Sequence, residues 1–256
     1  MRFIILTIFP EIFKIYFETG LPKKGVDKGL INYELINLRD FSSDKHKKVD
    51  DYTYGGGPGM VFMFPVLKKA VEKAKELSKN NHIILLSPSG IKYDQNLAKE
   101  LSKHETITLI CAHYEGCDER IKNFIDEEIS VGDFITQGGE IPALILIDTI
   151  SRFIPGFLKK EEAVNLETFS ENLVEYPQYT RPNEYEGLEV PDVLLSGDHE
   201  KVKLYRKKES LKRTLLLRPD LLLKRDFDEE EKKLLIEIEK ELIENIEKIL
   251  KRWKYM

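Results

Sequence analysis

The stretch SVGDFITQGGEIPA (130–143) joins two apolar segments that have different patterns. The preceding segment, EISVGDFI (128–135), has the composition of a buried strand, and PALILIDTISRF (142–153) that of a long apolar helix. Gly138 and Gly139 lie between them. A strand that leads through glycines into a helix is a frequent ligand-binding junction in open α/β sheets.

Short apolar runs alternate with helical segments through the first 155 residues. The predicted strands are 3–9, 33–38, 82–90, 106–112 and 128–135. The predicted helices are 11–20, 65–79, 95–103, 118–126 and 142–153. This alternation favours an α/β fold with a mostly parallel sheet that is covered on both faces.

The composition of the 256-residue chain is that of a globular protein, with 41% hydrophobic and 33% charged residues. A net charge of −5 gives no overall positive field that would indicate a nucleic-acid partner. Cys111 and Cys117 form neither a disulfide framework nor a zinc quartet. The apolar run before Pro10 is too short to span a membrane, so we expect a cytoplasmic protein with no membrane partner.

The pattern changes after residue 154. Residues 154–197 carry several prolines and predict a linker with extended segments. Residues 201–225 hold ten Lys or Arg against two acids, and an amphipathic helix follows. We therefore predict domains at 1–160 and 173–256, with a linker at 161–172. The apolar face of the last helix comprises Leu235, Ile238, Leu242, Ile246, Ile249 and Trp253.

The basic block at 201–225 has two interpretations. A run of charge is most often a solvated helix face, and the block alone favours that interpretation. The alternative is a contact with a phosphate backbone.

The segment YGGGPGM (54–60) contains four glycines. A P-loop is excluded because Met60 and Val61 follow the last glycine, where that motif needs Lys and Ser or Thr. The dinucleotide fingerprint G-x-G-x-x-G is also absent. The backbone here either approaches another group very closely, or takes positive φ several times, or forms an ordinary tight turn.

Two further loops resemble the first junction, LLSPSG (85–90) and CAHYEGCDER (111–120). If their strands are neighbours, the three loops converge on one pocket at the carboxyl edge of the sheet. None of the loops is a phosphate motif, and none is basic. The pattern predicts an adenosine-like ligand that lacks a phosphate chain.

The chain resembles the bacterial tRNA (guanine-N1)-methyltransferases from Phe3 to about Arg218. The resemblance rests on VDDYTYGGGPGM, LLSPSG, HYEGCDER, SVGDFITQGGE, SRFIPG, YTRP and VPDVLLSGDH, in this order. It implies methylation of N1 of guanosine 37, next to the tRNA anticodon, with S-adenosyl-L-methionine as methyl donor. It also implies a homodimeric SPOUT methyltransferase fold with a deep trefoil knot, followed by a small helical domain that binds the anticodon stem-loop.

The resemblance assigns site residues by position. The residues it places around the cofactor are Leu85, Leu86, Ser87, Pro88, Ala112, Tyr114, Glu115, Gly116, Val131, Gly132, Phe134, Thr136, Gly138, Gly139 and Pro142. Those it places at the target nucleoside are Asp50, Tyr54, Gly55, Gly56, Pro58, Gly59 and Glu175. The candidates for tRNA phosphates are Lys207, Lys208 and Arg213, with Lys203, Arg206 and Lys212 beside them.

The chemistry needs a base, because guanine N1 carries a proton, and a cation for charge that develops at O6. By position the base is Glu167, where the family usually has aspartate, and the cation is Arg152. The family takes both groups from the partner subunit, so the active site is shared. Magnesium is a possible further cofactor, near Glu115, and no metal-ligand set is evident in the sequence.

Other interpretations remain open. Arg152 could cap a helix, and Glu167 could be a solvated linker acid. The chain could methylate another RNA position, or bind RNA without catalysis. A nucleotide-dependent dehydrogenase is disfavoured by the missing fingerprint.

Overall fold

The structure is a computed structural model that describes residues 1–159, 167–169 and 171–254, with side chains to residue 247. It divides into two compact units, Met1–Glu161 and Glu162–Met256. The predicted linker at 161–172 falls mostly on residues 160–166 and 170, outside the described residues. The side chains of Ile249 and Trp253, predicted for the last apolar face, also lie outside them.

The first unit alternates strands and helices. Its elements are β1 (Arg2–Thr7), α1 (Pro10–Phe17), α2 (Gly20–Asp27), β2 (Asn32–Asn37), a 3-10 turn (Leu38–Phe41), β3 (Asp50–Tyr52), β4 (Met60–Phe62), α3 (Phe64–Leu77), β5 (Asn81–Lys92), α4 (Gln95–Leu101), β6 (Thr106–Cys111), a 3-10 helix (Glu119–Phe124), β7 (Glu127–Ser130) and α5 (Glu140–Ser151).

Five of the strands form one sheet in the order β2-β1-β6-β5-β7, and every pair is parallel. Successive side chains of β1 enter different cores. Phe3 and Ile5 pack in the cluster that includes α1 and α5, whereas Ile4 and Leu6 pack in the cluster that includes α3. This period of two shows that both faces are covered, and the predicted parallel α/β sheet is confirmed.

Several predicted boundaries differ from the structure. The predicted helix 11–20 ends at Phe17, and Gly20, with φ +58°, begins α2 instead of closing α1. The predicted strand 82–90 continues to Lys92, because Ile91 pairs with Ile129 after a register shift. The predicted strand 128–135 stops at Ser130. The small hairpin of β3 and β4 was missed, since strands of three residues are too short to show a period.

The second unit is mainly helical. Its elements are β8 (Glu184–Tyr185), β9 (Leu188–Glu189), α6 (Asp192–Leu195), α7 (His199–Leu217), α8 (Pro219–Leu222) and α9 (Glu229–Lys254). Leu211, Leu234 and Ile238 form its buried core. The predicted face of α9 is buried only in part, because this core ends near Leu242 and Ile246 is 56% exposed. No helix in the described part of the chain has both the length and the apolarity needed to cross a membrane.

Candidate active site

A cleft of about 340 Å³ opens at the carboxyl ends of β5, β6 and β7. This is the edge of a parallel sheet where ligands usually bind, and the volume is within the usual range of about 300–1,000 Å³. Its wall is made by segments 85–89, 112–119, 128–132 and 134–139, with Ile121, Lys122 and Pro142. All fifteen residues that the sequence placed around a cofactor lie on this wall.

The structure adds wall residues that were not predicted. These are Ser89, His113, Cys117, Asp118, Glu119, Ile121, Lys122, Glu128, Ile129, Ser130, Ile135 and Gln137. Most of them lie between predicted residues in the same loops. The sequence therefore identified the loops that form the cleft, but not every residue in them that lines it. Lys122 lies in the 3-10 helix Glu119–Phe124 and Glu128 in β7, and the sequence assigned neither of them to the site.

Three elements meet at the buried carboxylate of Glu140 beneath the cleft. One oxygen of Glu140 accepts a hydrogen bond from the Thr7 hydroxyl at 2.6 Å, and the other lies 2.6 Å from Nε2 of His113. Glu140 is in the first turn of α5, where the helix dipole favours a negative charge. The network therefore joins the end of β1, the loop after β6 and the start of α5.

Gly138 and Gly139 allow the start of α5 to lie against the loop after β6. A Cβ on Gly138 would overlap the His113 ring, and one on Gly139 would lie 2.6 Å from Cα of Cys111. The Gly139 N–H donates to the carbonyl of Ala112 at 2.7 Å. Any larger residue would push these two walls of the cleft apart.

The cleft is acidic. Its wall holds Glu115, Asp118, Glu119 and Glu128, and Lys122 is the one Lys or Arg among the wall residues. The Lys122 ammonium lies 3.0 Å from Glu119 and 3.1 Å from Glu128. Asp118 is bound by two nitrogens of Arg120, at 2.8 and 2.7 Å. The remaining negative charge disfavours a polyphosphate ligand and favours a cationic one.

Glu128 is held in its charged form within this wall. Burial raises the pKa of Glu128, but hydrogen bonds from Ser87 and Ser89 and the charge of Lys122 outweigh burial and leave the pKa below its ordinary value. Burial also raises the pKa of the Cys117 thiol to about 12. Cys117 is thus a neutral wall residue and not a nucleophile.

The glycine segment is the loop of the hairpin between β3 and β4, in which Tyr52 pairs with Met60. Its glycines Gly55, Gly56, Gly57 and Gly59 have φ angles of +84°, +80°, +127° and +83°. Within this chain a Cβ on Gly55 or Gly56 would meet no atom within 4 Å. Four positive φ angles favour glycine at these positions, and at Gly59 a Cβ would also overlap Cγ of Glu115.

The hairpin is attached to the wall of the cleft. The Glu115 N–H donates to the Met60 carbonyl at 2.9 Å, and the Phe62 N–H donates to the Gly116 carbonyl at 3.0 Å. Asp50 is buried at the base of the hairpin, whereas Tyr54 is fully exposed at its tip. Pro58 is also exposed.

Tyr114 connects the β3–β4 hairpin to the wall of the cleft. Its backbone has φ +60°, and its hydroxyl interacts with Asp50 and Arg39. Desolvation and the nearby Asp50 charge raise the pKa of Tyr114, so the hydroxyl stays protonated and can donate a hydrogen bond.

The two residues predicted to be catalytic belong to different units. Arg152 directly follows the last residue of α5 in the first unit. Glu167 belongs to the second unit, where the neighbouring Thr168 hydroxyl accepts the N–H of Glu175 at 3.0 Å. The segments that contain Glu167 and Glu175 are thus joined by a hydrogen bond. A carboxylate oxygen of Glu175 also accepts a hydrogen bond from the side-chain amide of Gln178 at 2.5 Å.

The predicted phosphate-binding lysines make ion pairs within the second unit. Lys207 lies 3.0 Å from Asp228, and Lys208 lies 2.7 Å from Glu241 and 3.0 Å from Glu237. Arg213 is half-buried, and its Nε has no hydrogen-bond partner among the described residues. Lysines 207 and 208 therefore already bind acidic groups of their own unit.

Within the described ranges, no group of three or more His, Cys, Asp or Glu side chains is placed to hold a metal ion.

The fold and the cleft define an α/β protein with an acidic cleft at the carboxyl edge of its parallel sheet, where proteins of this class usually bind their ligands. A family model, tRNA (Guanine-1)-methyltransferase TrmD, matches residues 1–224. The chain belongs to this family.

Curated relatives cover nearly the whole chain. A tRNA (guanine-N(1)-)-methyltransferase of Dictyoglomus turgidum is 49% identical over 96% of this chain and 100% of its own length. A protein of the same name from Thermosipho melanesiensis is 49% identical over 96% of this chain and 99% of its own length. Another from Syntrophomonas wolfei is 50% identical over 93% of this chain and 97% of its own length.

Proposed function

We propose that this protein transfers a methyl group from S-adenosyl-L-methionine to N1 of guanosine 37, next to the anticodon of tRNA. The observation that carries the proposal is the acidic cleft at the carboxyl edge, whose loops hold the family motifs. S-adenosyl-L-methionine has a positive sulfonium and no phosphate, and it fits a wall with four carboxylates and one ammonium. When bound, it supplies the methyl group as an electrophile.

Different parts of the cleft would bind the methyl donor and the guanine. The backbone of 131–139 would bind the adenine edge, because Gly132, Gly138 and Gly139 leave peptide groups accessible. Glu115 and the acidic wall would favour the positive charges of the ligand, and Glu115 could also hold a magnesium ion. The glycine loop, with Asp50 and Tyr54, would position the guanine after it has left the anticodon stack.

Glu167 and Arg152 would act on the guanine. Glu167 would remove the N1 proton, so that the nitrogen lone pair becomes available for attack. Arg152 would stabilise the negative charge that develops at O6. Glu175 would help to hold the guanosine. Lys207 and Lys208 would contact tRNA phosphates when they exchange their acidic partners for RNA, and Arg213 would contact them too.

We infer a homodimer from the apolar surface of α1 and α5, and membership in the family supports an active site that the two subunits share. Ile15 is 67% exposed on α1, and Ile141 and Ile145 are 55% and 38% exposed on α5. The hydroxyl of Tyr16 donates to Asp148 at 2.8 Å and joins the two helices. A second copy would cover this surface. Membership in the family also supports a trefoil knot in the first unit, a tRNA-binding second unit and a cytoplasmic location.

Single-turnover methyl transfer tests the proposal, with an unmodified tRNA that has guanosine at 36 and 37. We expect wild type to methylate N1 of guanosine 37 and not a transcript with adenosine there. Glu167→Gln should lower the rate at least about 100-fold, because the base is lost, with unchanged calorimetric affinity for S-adenosyl-L-methionine. Glu167→Asp, the matched control, keeps the carboxylate and should retain most activity.

Two results would contradict this function, and a third would contradict only the role of Glu167. Methylation at another atom or position would show a different RNA methyltransferase. Full activity of Glu167→Gln would remove that residue from the mechanism, and tRNA binding without any methylation by wild type would show a non-catalytic RNA-binding protein.

A further inference from the structure

The second unit contains a cavity of about 360 Å³ that shares no residue with the cleft of the first unit. One wall is the segment 176–181, and the others come from the β8–β9 hairpin, from α6 and from α7. The lining residues are Tyr176, Pro177, Gln178, Tyr179, Thr180, Arg181, Asn183, Val190, Leu194, Leu195 and Arg206. A cavity of this size is large enough for a nucleotide-sized ligand.

Two aromatic rings line the cavity. Tyr176 is half-buried, and the Arg206 guanidinium lies 4.8 Å from the centre of its ring. Tyr179 is 47% exposed, and its hydroxyl interacts with the hydroxyl of Tyr205. The tyrosines are therefore held in place while they still present ring surface to a ligand.

The cavity is positive although the chain as a whole carries a net charge of −5. Among the described residues its only charged lining residues are Arg181 and Arg206, and neither of them makes an ion pair there. Lys207, Lys208 and Lys212, by contrast, all bind acids that precede or belong to α9.

The basic residues of helix α7 differ in their ion pairs. At about 3.6 residues per turn, Arg206 and Arg213 share one side of α7 with Glu209, Lys203 and Lys207 lie next to this side, and Lys208 and Lys212 lie toward the other. Lys203, Arg206 and Arg213 make no ion pair with the described residues, whereas Lys207, Lys208 and Lys212 are neutralised within the unit. Arg206, the α7 residue that lines the cavity, is thus a cation without an ion pair among the described residues.

We propose that this cavity binds one unpaired nucleotide of the tRNA, with the base against Tyr176 and Tyr179 and a phosphate against Arg206 and Arg181. Aromatic rings beside unpaired arginines form a stacking platform for single-stranded RNA, whereas bases inside a duplex cannot reach such rings. This inference rests on the proposed function, since it takes tRNA to be the substrate.

The test measures tRNA affinity and its salt dependence for Tyr176→Ala, Tyr176→Phe and Arg206→Gln. Tyr176→Ala should weaken tRNA binding about 10-fold without changing the salt slope, and Tyr176→Phe should remain near wild type because the ring is kept. Arg206→Gln should weaken binding and reduce the salt slope by about one. Lys232→Gln is the matched control, because Lys232 pairs with Glu229 and does not line the cavity.

The outcomes separate this inference from the proposed function. Wild-type affinity and salt slope in Tyr176→Ala and Arg206→Gln would overturn the nucleotide site and leave the cavity for another ligand, such as a peptide. Failure of the methyltransferase function would appear in wild type, as no methyl transfer at any tRNA concentration. Arg206 is exposed, so Arg206→Gln keeps the test decisive even if Tyr176→Ala fails to fold.

Discussion

Nε2 of His113 lies 2.6 Å from a carboxylate oxygen of Glu140, and only 4% of the Glu140 side chain is exposed. The other oxygen accepts the hydroxyl of Thr7. Glu140 does not line the cleft, whereas His113 does. The shape of the cleft wall after β6 therefore depends on a carboxylate buried beneath it.

Glu140→Ala is expected to lower the free energy of unfolding by about 3 kcal/mol, because it leaves Thr7 and His113 without their buried partner. It should also weaken binding of S-adenosyl-L-methionine, since His113 is free to move. Denaturant unfolding and calorimetry measure the two effects. Glu140→Gln keeps an acceptor for Thr7 and should lose roughly half as much stability. Equal stability of wild type and Glu140→Ala would show that the network is energetically neutral.

The glycine loop gives a test of why its glycines are required. Asn tolerates positive φ better than Ala, so Gly55→Asn should retain more methyl-transfer activity than Gly55→Ala if backbone conformation is the reason. If the loop must instead approach the guanine closely, both variants should lose activity equally. Single-turnover rates distinguish the two results. Binding of S-adenosyl-L-methionine, measured by calorimetry, should be unchanged in both.

The elements with a clear period could be predicted from sequence, and the long-range contacts could not. The strands near 3–9, 82–90 and 106–112 are apolar runs bounded by turns, which is a local signal. The contact between Thr7 and Glu140 spans 133 residues and leaves no local pattern. The order of the strands in the sheet could not be predicted for the same reason, because strands that pair are distant in sequence.

The candidate site was predictable where small residues end strands. Gly138 and Gly139 gave such a signal, and the structure places both on the wall of the cleft. The opposite charges of Lys122 and Glu128 gave none, because each is an ordinary surface residue until the fold brings them within 3.1 Å. The basic block was visible as a run of charge, but its division into paired and unpaired residues depends on the position of α9.

The ion pairs between α7 and α9 predict how stability depends on pH. A hydrogen bond from Lys208 is the main cause that lowers the pKa of Glu241, so the folded state binds this proton more weakly than the unfolded state does. The stabilisation is present above the unfolded pKa of about 4.3 and is lost as pH falls through the lowered folded value. Lys208→Gln should therefore show a smaller loss of stability in acid than wild type.

Unfolding measured between about pH 6 and pH 2 checks this prediction. Lys232→Gln removes a lysine from a more exposed pair with Glu229 and should leave the acid dependence unchanged. A Lys208→Gln curve parallel to that of wild type would show that the Lys208–Glu241 pair does not contribute.

The apolar surface of α1 and α5 predicts the effect of a buried charge on assembly. Ile141 and Ile145 are one helical turn apart on α5, and both are exposed in a single chain. If a second copy covers them, Ile145→Glu buries an unpaired carboxylate and should shift the protein from dimer to monomer. Sedimentation velocity at several concentrations measures this change. Because the proposed active site is shared, methyl transfer should fall with the dimer fraction.

Ile236→Glu is the matched control, since Ile236 is 53% exposed on α9 and lies outside this surface. A dimer that persists in Ile145→Glu, with full activity, would place the interface elsewhere.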